Sequence, residues 1–343
     1  AQEEVRTGRR WRAPLMRRTG TDVWRLETWV GLLVLVLTLG AVAVINTWDM
    51  PAYLLVVLGA LLIGLGGFWH WRPALVAVSL FVLVASASLI LYLPFFTHYQ
   101  ALYVGLGLVR IRTGLEPFLT IWGLFLFMVV SLLWMQIVWG QARKASLRCL
   151  SLLLRRGMRL PRLLDLHQAL VRRPGTGYTL GLLVLIGTAF ICGGLLILQL
   201  WVPGLLVPLV VLSGLLVLRR HAGVEGDFVA LLAFLGMGIL LGCEVIFLRD
   251  FLQGGEYHRM NTIFKFYTQA WVLLGVVAGT SAPRLWGWFG GVRRRWLGYT
   301  WKVCLALLMA SSAVFLFLGT WQRADDRFPG PRPPLGTLDG SAF

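Results

Sequence analysis

Charged residues are scarce in this sequence, and acidic residues are scarcer than basic ones. Only 14% of the 343 residues are charged, whereas an average soluble domain has about 25%. Hydrophobic residues make up 58% of the chain, and the mean hydropathy is +0.75. This composition excludes a water-soluble globular protein. It also excludes an intrinsically disordered chain, which needs low hydrophobicity.

Paired-cysteine motifs and the common catalytic motifs are also absent. The four cysteines form no Cys-x-x-Cys pair, so the sequence predicts neither a disulfide framework nor a zinc site. A GxxxxGK[ST] phosphate loop, an HExxH zinc motif and a GxSxG nucleophile elbow are absent. The first 26 residues are basic and polar, and they lack the apolar core of a signal peptide.

The sequence instead has nine apolar segments that approach the ~20 residues of a membrane-spanning helix. They cover residues 28–45, 51–68, 73–93, 118–139, 178–201, 204–218, 228–248, 266–282 and 299–320. The sixth, 204–218, is short; it is counted as a span and is alternatively a tilted or re-entrant segment. Trp and Tyr cluster at their ends, as in the aromatic belts of membrane proteins. We therefore predict an all-α fold, a polytopic bundle of about nine transmembrane helices over residues 28–320, in the cell (plasma) membrane.

The distribution of basic residues predicts the orientation of the bundle. With the N-terminus inside, 23 of the 32 Lys and Arg residues fall on the inner side and 8 on the outer side, which satisfies the positive-inside rule. The C-terminus is then outside. Orientation explains the net charge of +17, so membrane lipid is the expected partner and nucleic acid is not.

Three segments flank or interrupt the predicted membrane domain. Residues 1–27 form a basic cytoplasmic N-terminal segment, and residues 321–343 form a Pro-rich outer tail. Residues 141–177 alternate basic residues with Leu runs, which predicts an amphipathic inner loop on the anionic membrane surface. Binding of a partner by this loop is the alternative.

Polar and ionisable residues collect on the predicted outer face of the bundle. They are Asp49, Glu244, Arg249, Asp250, Arg259, Asn261 and Lys265. Glu244 lies within a predicted span, where a carboxylate costs about 2.5–3.5 kcal/mol unless it is compensated. It is either a site residue that binds a cation or hydroxyl or acts as a base, or a structural partner of a nearby Arg or Lys.

A polar stripe follows Glu244 along the chain. Tyr257, Asn261, Lys265 and Gln269 are spaced four residues apart, so in a helix they share one face. A cationic, hydrogen-bonding face at the membrane surface suits a phosphate or pyrophosphate headgroup. The alternative is an interfacial helix whose Lys snorkels to water and whose amide is satisfied within the protein.

These segments resemble the motifs of a known family. Residues 46–51 (NTWDMP) resemble its NtWDxP motif. Residues 244–250 (EVIFLRD) and 259–271 (RMNTIFKFYTQAW) resemble its ExxxLRD…RMNTxFKFYxQAW block. Further similar stretches lie at residues 93–96, 121–127 and 337–340. The family is that of the YYY membrane proteins (Chlor_Arch_YYY), a domain of unknown function found in prokaryotes.

The resemblance implies that this chain is the carboxy-terminal membrane half of a longer member, since the YYYxG motif of the family is absent. The family is distantly similar to GT-C glycosyltransferases, which take a sugar from a polyprenyl-phosphate donor on the outer face. In those enzymes the catalytic acid lies in the first outer loop of the amino-terminal half. The resemblance thus implies a chain that binds the donor and lacks the catalytic base.

Three functions follow as hypotheses. In a GT-C-like transferase, the predicted ligands of the donor phosphate are Arg249, Arg259 and Lys265. The predicted ligands of a divalent cation or of acceptor hydroxyls are Asp49, Glu244 and Asp250. A transporter or lipid flippase predicts midplane charges and inverted repeats, neither of which the sequence shows. A non-catalytic membrane scaffold predicts that alanine at Glu244, Arg259 and Lys265 impairs folding alone.

Overall fold

A computed structural model describes residues 26–68, 70–100, 105–138, 176–218, 223–249, 257–292 and 294–327. Its helices are α1 (Leu26–Ile45), α2 (Met50–Leu65), α3 (Trp71–Leu91), α4 (Leu93–Phe96), α5 (Leu115–Val138), α6 (Thr176–Ile197), α7 (Trp201–Val217), α8 (Val224–Cys243), α9 (Met260–Gly290), α10 (Arg295–Val314) and α11 (Thr320–Arg327). A π-helical turn, Phe315–Gly319, joins the last two. Strands β1 (Gly105–Leu108) and β2 (Ile246–Arg249) pair as an antiparallel ribbon.

Six of the helices in the described part are long and apolar enough to cross a membrane. Three shorter apolar stretches accompany them, Met50–Leu65, Leu183–Ile197 and Trp201–Val217. Helices predominate because a chain in hydrocarbon must satisfy its backbone hydrogen bonds within each span. The prediction of an all-α polytopic membrane protein is confirmed. The predicted orientation stays a prediction.

The core of the bundle lies between α5, α7, α8 and α9. Trp122, Leu206, Met237 and Leu274 are completely buried there. Gly236 allows α8 to approach α9 closely, because a Cβ atom at this position would lie 2.8 Å from the side chain of Leu274. This packing holds α8 against the middle of α9, the helix whose start carries much of the predicted site.

The final helices lie at the edge of the bundle. Near the start of α10, the indole N–H of Trp301 donates a 2.9 Å hydrogen bond to Ser131 on α5. Beyond that contact the helix is largely exposed, and Phe315 and Leu318 are mostly uncovered. Only the first half of α10 is therefore attached to the core of the described bundle.

Several boundaries differ from the predictions. The seventh apolar segment, 228–248, ends as a helix at Cys243, and its last residues form β2 instead. The helix predicted at 266–282 runs from Met260 to Gly290. Of the predicted outer tail, residues 321–327 continue a helix. The ribbon was not predicted, since its two strands pair across some 140 residues of sequence.

Other predictions fall outside the described residues. These include nearly all of the basic segment 1–27, nearly all of the inner loop 141–177, and residues 328–343 of the Pro-rich tail. Asp250, one of the predicted site residues, lies there as well.

Candidate functional site

The predicted site residues that the structure describes lie at one end of the bundle, where α1 and α8 end and α2 and α9 begin. Asp49 lies in the turn between α1 and α2, and Glu244 directly follows α8. Arg259 precedes α9, and Lys265 lies in the second turn of that helix. Four of them divide into two groups, Glu244 with Arg259 and Asp49 with Lys265.

The first group, the Glu244 network, consists of Glu244, Thr113 and Arg259. Glu244 is completely buried. Its Oε1 accepts hydrogen bonds of 2.6 Å from the Thr113 hydroxyl and 3.1 Å from Nη1 of Arg259. Its Oε2 accepts a 3.1 Å bond from the backbone N–H of Thr113. The carboxylate is thus held by one cation and two neutral donors.

Arg259 closes the network. Its Nη1 also donates to the Cys243 carbonyl at 3.1 Å, and its Nη2 donates to the Thr113 hydroxyl at 2.7 Å. The carbonyl belongs to the last turn of α8, where backbone acceptors have no partner within the helix. This geometry matches the salt-bridge alternative for Glu244, with Arg259 as its partner. A buried ion pair needs such additional hydrogen bonds to offset its loss of hydration.

Thr113 could not be identified as a site residue from the sequence, because no motif or charge distinguishes it. It precedes α5 and lies 131 residues from Glu244 along the chain. It carries no charge and belongs to no motif, so only the fold shows that it contributes two donors to a buried carboxylate. A sequence search for polar residues near span ends would find it only among many others.

The second group, the Asp49 cluster, comprises Asn46, Trp48, Asp49, Lys265 and Gln269. The turn between α1 and α2 is compact: the Asn46 side-chain amide donates a 2.6 Å bond to Asp49 Oδ1, and Pro51 opens α2. Asn and Asp favour such turns, and Pro suits the first turn of a helix. Sequence and local structure therefore agree on where Asp49 is placed.

Two residues of α9 face this turn. Lys265 and Gln269, one helical turn apart, both interact with Asp49. The Lys265 ammonium lies 5.0 Å from the centre of the Trp48 ring, within range of a cation–π interaction. Gln269 is 3% exposed, and its Oε1 accepts no hydrogen bond from the described residues. A buried acceptor without a partner is unusual and marks this cluster as a candidate for binding a donor group.

The remaining predicted residues occupy neighbouring positions. Arg249 is exposed at the end of β2, and Asn261 is half-buried in the first turn of α9. The ribbon is joined to α9 because the Leu248 N–H donates a 2.9 Å bond to the Thr262 hydroxyl. Within the described ranges, no three His, Cys, Asp or Glu side chains converge as metal ligands. Asp250 lies outside these ranges, so this finding does not apply to a cation site formed with Asp250.

A shallow groove runs along a face of α9 other than the one that carries Lys265 and Gln269. Phe264 and Trp271 are more than half exposed in it. The groove is lined by Ile263, Phe264, Tyr267, Thr268, Trp271 and Val272. Because α9 is a candidate span, its exposed apolar side chains are expected to face lipid. A polar cluster and a lipid-facing groove therefore lie on the same two or three turns of one helix.

The pKa of Asp49 provides a test of the cluster. Burial raises this pKa above its ordinary 3.8, while a hydrogen bond from Gln269 and the charge of Lys265 lower it less strongly. A raised pKa means that the folded state holds the proton more tightly, so stability falls as pH increases from about 4 through the raised value. Asp49→Asn should flatten this decline in thermal unfolding measured between about pH 4 and about pH 7. Parallel curves for the two proteins would contradict the burial of Asp49.

Comparison with known proteins yields one match. A family model described as an uncharacterized membrane protein (DUF2298) matches residues 10–274 of the chain. No curated protein and no solved structure matches it. The predictions of a membrane protein and of a domain of unknown function are thereby confirmed. The YYY name and the GT-C similarity stay predictions.

Proposed function

Since the chain belongs to a family of uncharacterized membrane proteins (DUF2298), we propose a specific activity for it. We propose that it is the carboxy-terminal membrane half of a GT-C-like glycosyltransferase acting on a polyprenyl-phosphate-linked sugar. The observation that carries the proposal is the Asp49 cluster, where Lys265 and the Gln269 Oε1 without a described donor meet, on the same turns of α9 whose other face carries a groove of exposed apolar side chains. A lipid-linked sugar phosphate needs both a polar and an apolar site.

Lys265 is the proposed ligand of the phosphate. In the described chain it forms no ion pair with a carboxylate within 4.0 Å, and its ammonium is held by the Trp48 ring. A compact ammonium is well suited to a phosphate oxygen. The polyprenyl chain would lie in the α9 groove, where Phe264 and Trp271 are exposed.

Asp49 and Gln269 are the proposed ligands of sugar hydroxyls. A carboxylate oxygen and an amide oxygen both accept hydrogen bonds from hydroxyl groups. Gln269 Oε1 has no donor within the described residues, so a hydroxyl of the ligand would satisfy it. Arg249 and Asn261, at the end of β2 and the start of α9, are the proposed further contacts of a larger headgroup.

Orientation and location complete the proposal. The excess of basic residues on one side supports an orientation with the site on the outer face, and we place the protein in the plasma membrane of a prokaryote. The proposed partners are membrane lipid and the polyprenyl-phosphate sugar, and no nucleic acid is needed. A divalent cation bound with Asp250 would serve as cofactor.

A membrane scaffold is the second candidate, and the Glu244 network supports it. Glu244 and Arg259 bind each other and Thr113, so we assign both a structural role even in the transferase. If the protein is only a membrane scaffold, alanine at Lys265 will leave its function intact. A transporter or flippase is the remaining alternative, and it has no comparable observation in its support.

The test of the transferase is a binding and transfer assay with the full-length protein and polyprenyl-phosphate sugars. Lys265→Met should weaken binding about 10-fold to 100-fold, because a hydrogen bond to a charged group contributes about 1.5–3 kcal/mol. Lys265→Arg should retain most of the affinity. Arg284→Met, at the opposite end of α9 where Arg284 pairs with Glu225, is the matched control.

Two outcomes would reject the transferase. One is that the wild-type protein neither binds nor transfers these lipids. The other is that Lys265→Met and Arg284→Met bind the donor equally well, which would remove the Asp49 cluster from the site.

A further inference from the structure

The β1–β2 ribbon has one apolar face. Its register pairs Leu106 with Leu248 and Leu108 with Ile246. Alternate residues of a strand point to the same side, so these four aliphatic side chains share one face, which we call the apolar ribbon face. Leu106, Leu108 and Ile246 are 63%, 72% and 43% exposed. Exposed apolar residues on a surface in water are usually scattered singly, whereas these three are neighbours.

The opposite face of the ribbon is packed and fixes which way the apolar face points. The Phe247 ring lies edge-on against His258, with ring centres 4.8 Å apart. Gly107 faces the same ring, and a side chain at Gly107 would collide with it. The ribbon therefore cannot turn over without losing these contacts.

The ribbon is also held close to the ends of two spans. β2 begins three residues after α8 ends at Cys243, and the Val109 N–H donates a 3.0 Å bond to the Val245 carbonyl. Thr113, four residues farther along, is bonded to Glu244. The apolar ribbon face thus lies next to the end of α8 and the start of α5, both of which are candidate spans.

We propose that the apolar ribbon face binds the lipid surface at this end of the bundle. Further exposed aliphatic residues follow where the ribbon joins α8 and α5: Val245, Ile111, Leu115 and Leu119. Arg110 and Arg112 are exposed in the same connection. Apolar side chains beside cations are the pattern of segments that lie in the headgroup region of a membrane. This inference is independent of the proposed transferase activity.

Spin labels at single cysteines test the proposal. The full chain, with its four native cysteines replaced by alanine, is reconstituted in nanodiscs of phosphatidylglycerol and phosphatidylcholine. Labels at Leu106→Cys, Leu108→Cys and Ile246→Cys should collide severalfold more with oxygen, relative to a water-soluble nickel complex, than a label at Arg249→Cys on the other face. Ile111→Cys replaces any variant that does not elute with the wild type in gel filtration.

The result has three forms. Preferential contact with oxygen at the ribbon positions supports the proposal. Preferential contact with nickel places the face in water and overturns it. Shielding from both reagents means that another segment of the chain or a partner protein covers the face, which also overturns it.

Discussion

Arg259→Met is expected to destabilise the protein by about 3–5 kcal/mol, the usual cost of removing one partner of a buried ion pair. The substitution leaves Glu244, which is 0% exposed, with the two donors of Thr113 as its only described partners. It also leaves the Cys243 carbonyl without the guanidinium. Unfolding in detergent, followed by circular dichroism, measures the change.

A double-mutant cycle separates the ion pair from other effects. Glu244→Gln combined with Arg259→Met should be less destabilised than the sum of the two single variants, with a coupling of about 1–3 kcal/mol. Arg284→Met is the control, since its pair with Glu225 is exposed and such pairs contribute about 0–1 kcal/mol. Additive single effects would show that Glu244 and Arg259 do not stabilise each other.

The spans were predictable because long apolar runs have few alternatives to helix in a membrane. The change from helix to strand at the end of the seventh apolar segment was not predictable. Val245, Ile246, Phe247 and Leu248 are as apolar as the helix before them, and a short apolar run does not distinguish a helix from a strand. The ribbon depends on pairing with Gly105–Leu108, and that contact is invisible to local periodicity.

The site was predictable in part. Alternation of spans placed Asp49, Glu244, Arg259 and Lys265 at the same end of the bundle, and the structure brings them to the start of α9. How they are divided was not predictable, because it depends on which face of α9 meets which neighbour. Arg259 contacts Glu244, and Lys265 contacts Trp48. The two basic residues are six positions apart, about 9 Å along a helix axis.

Trp122→Ala is expected to destabilise the protein by about 3–5 kcal/mol, the usual cost of truncating a large buried aromatic side chain. Trp122 on α5 is 0% exposed. It packs against Tyr267 and Trp271 of α9, with ring centres 5.1 Å and 6.3 Å apart. The loss should appear in the same detergent unfolding experiment, because the cavity would open beneath the α9 groove.

Trp122→Phe is the matched control. The indole N–H of Trp122 is buried without a hydrogen-bond partner among the described residues, so phenylalanine removes a polar group that stabilises little. We expect it to recover most of the stability lost in Trp122→Ala. If both variants lose the same amount, the stabilisation depends on the indole ring itself, and phenylalanine does not replace its packing. If neither loses stability, α5 and α9 are not held together by this contact, and the wall of the proposed lipid groove is formed elsewhere.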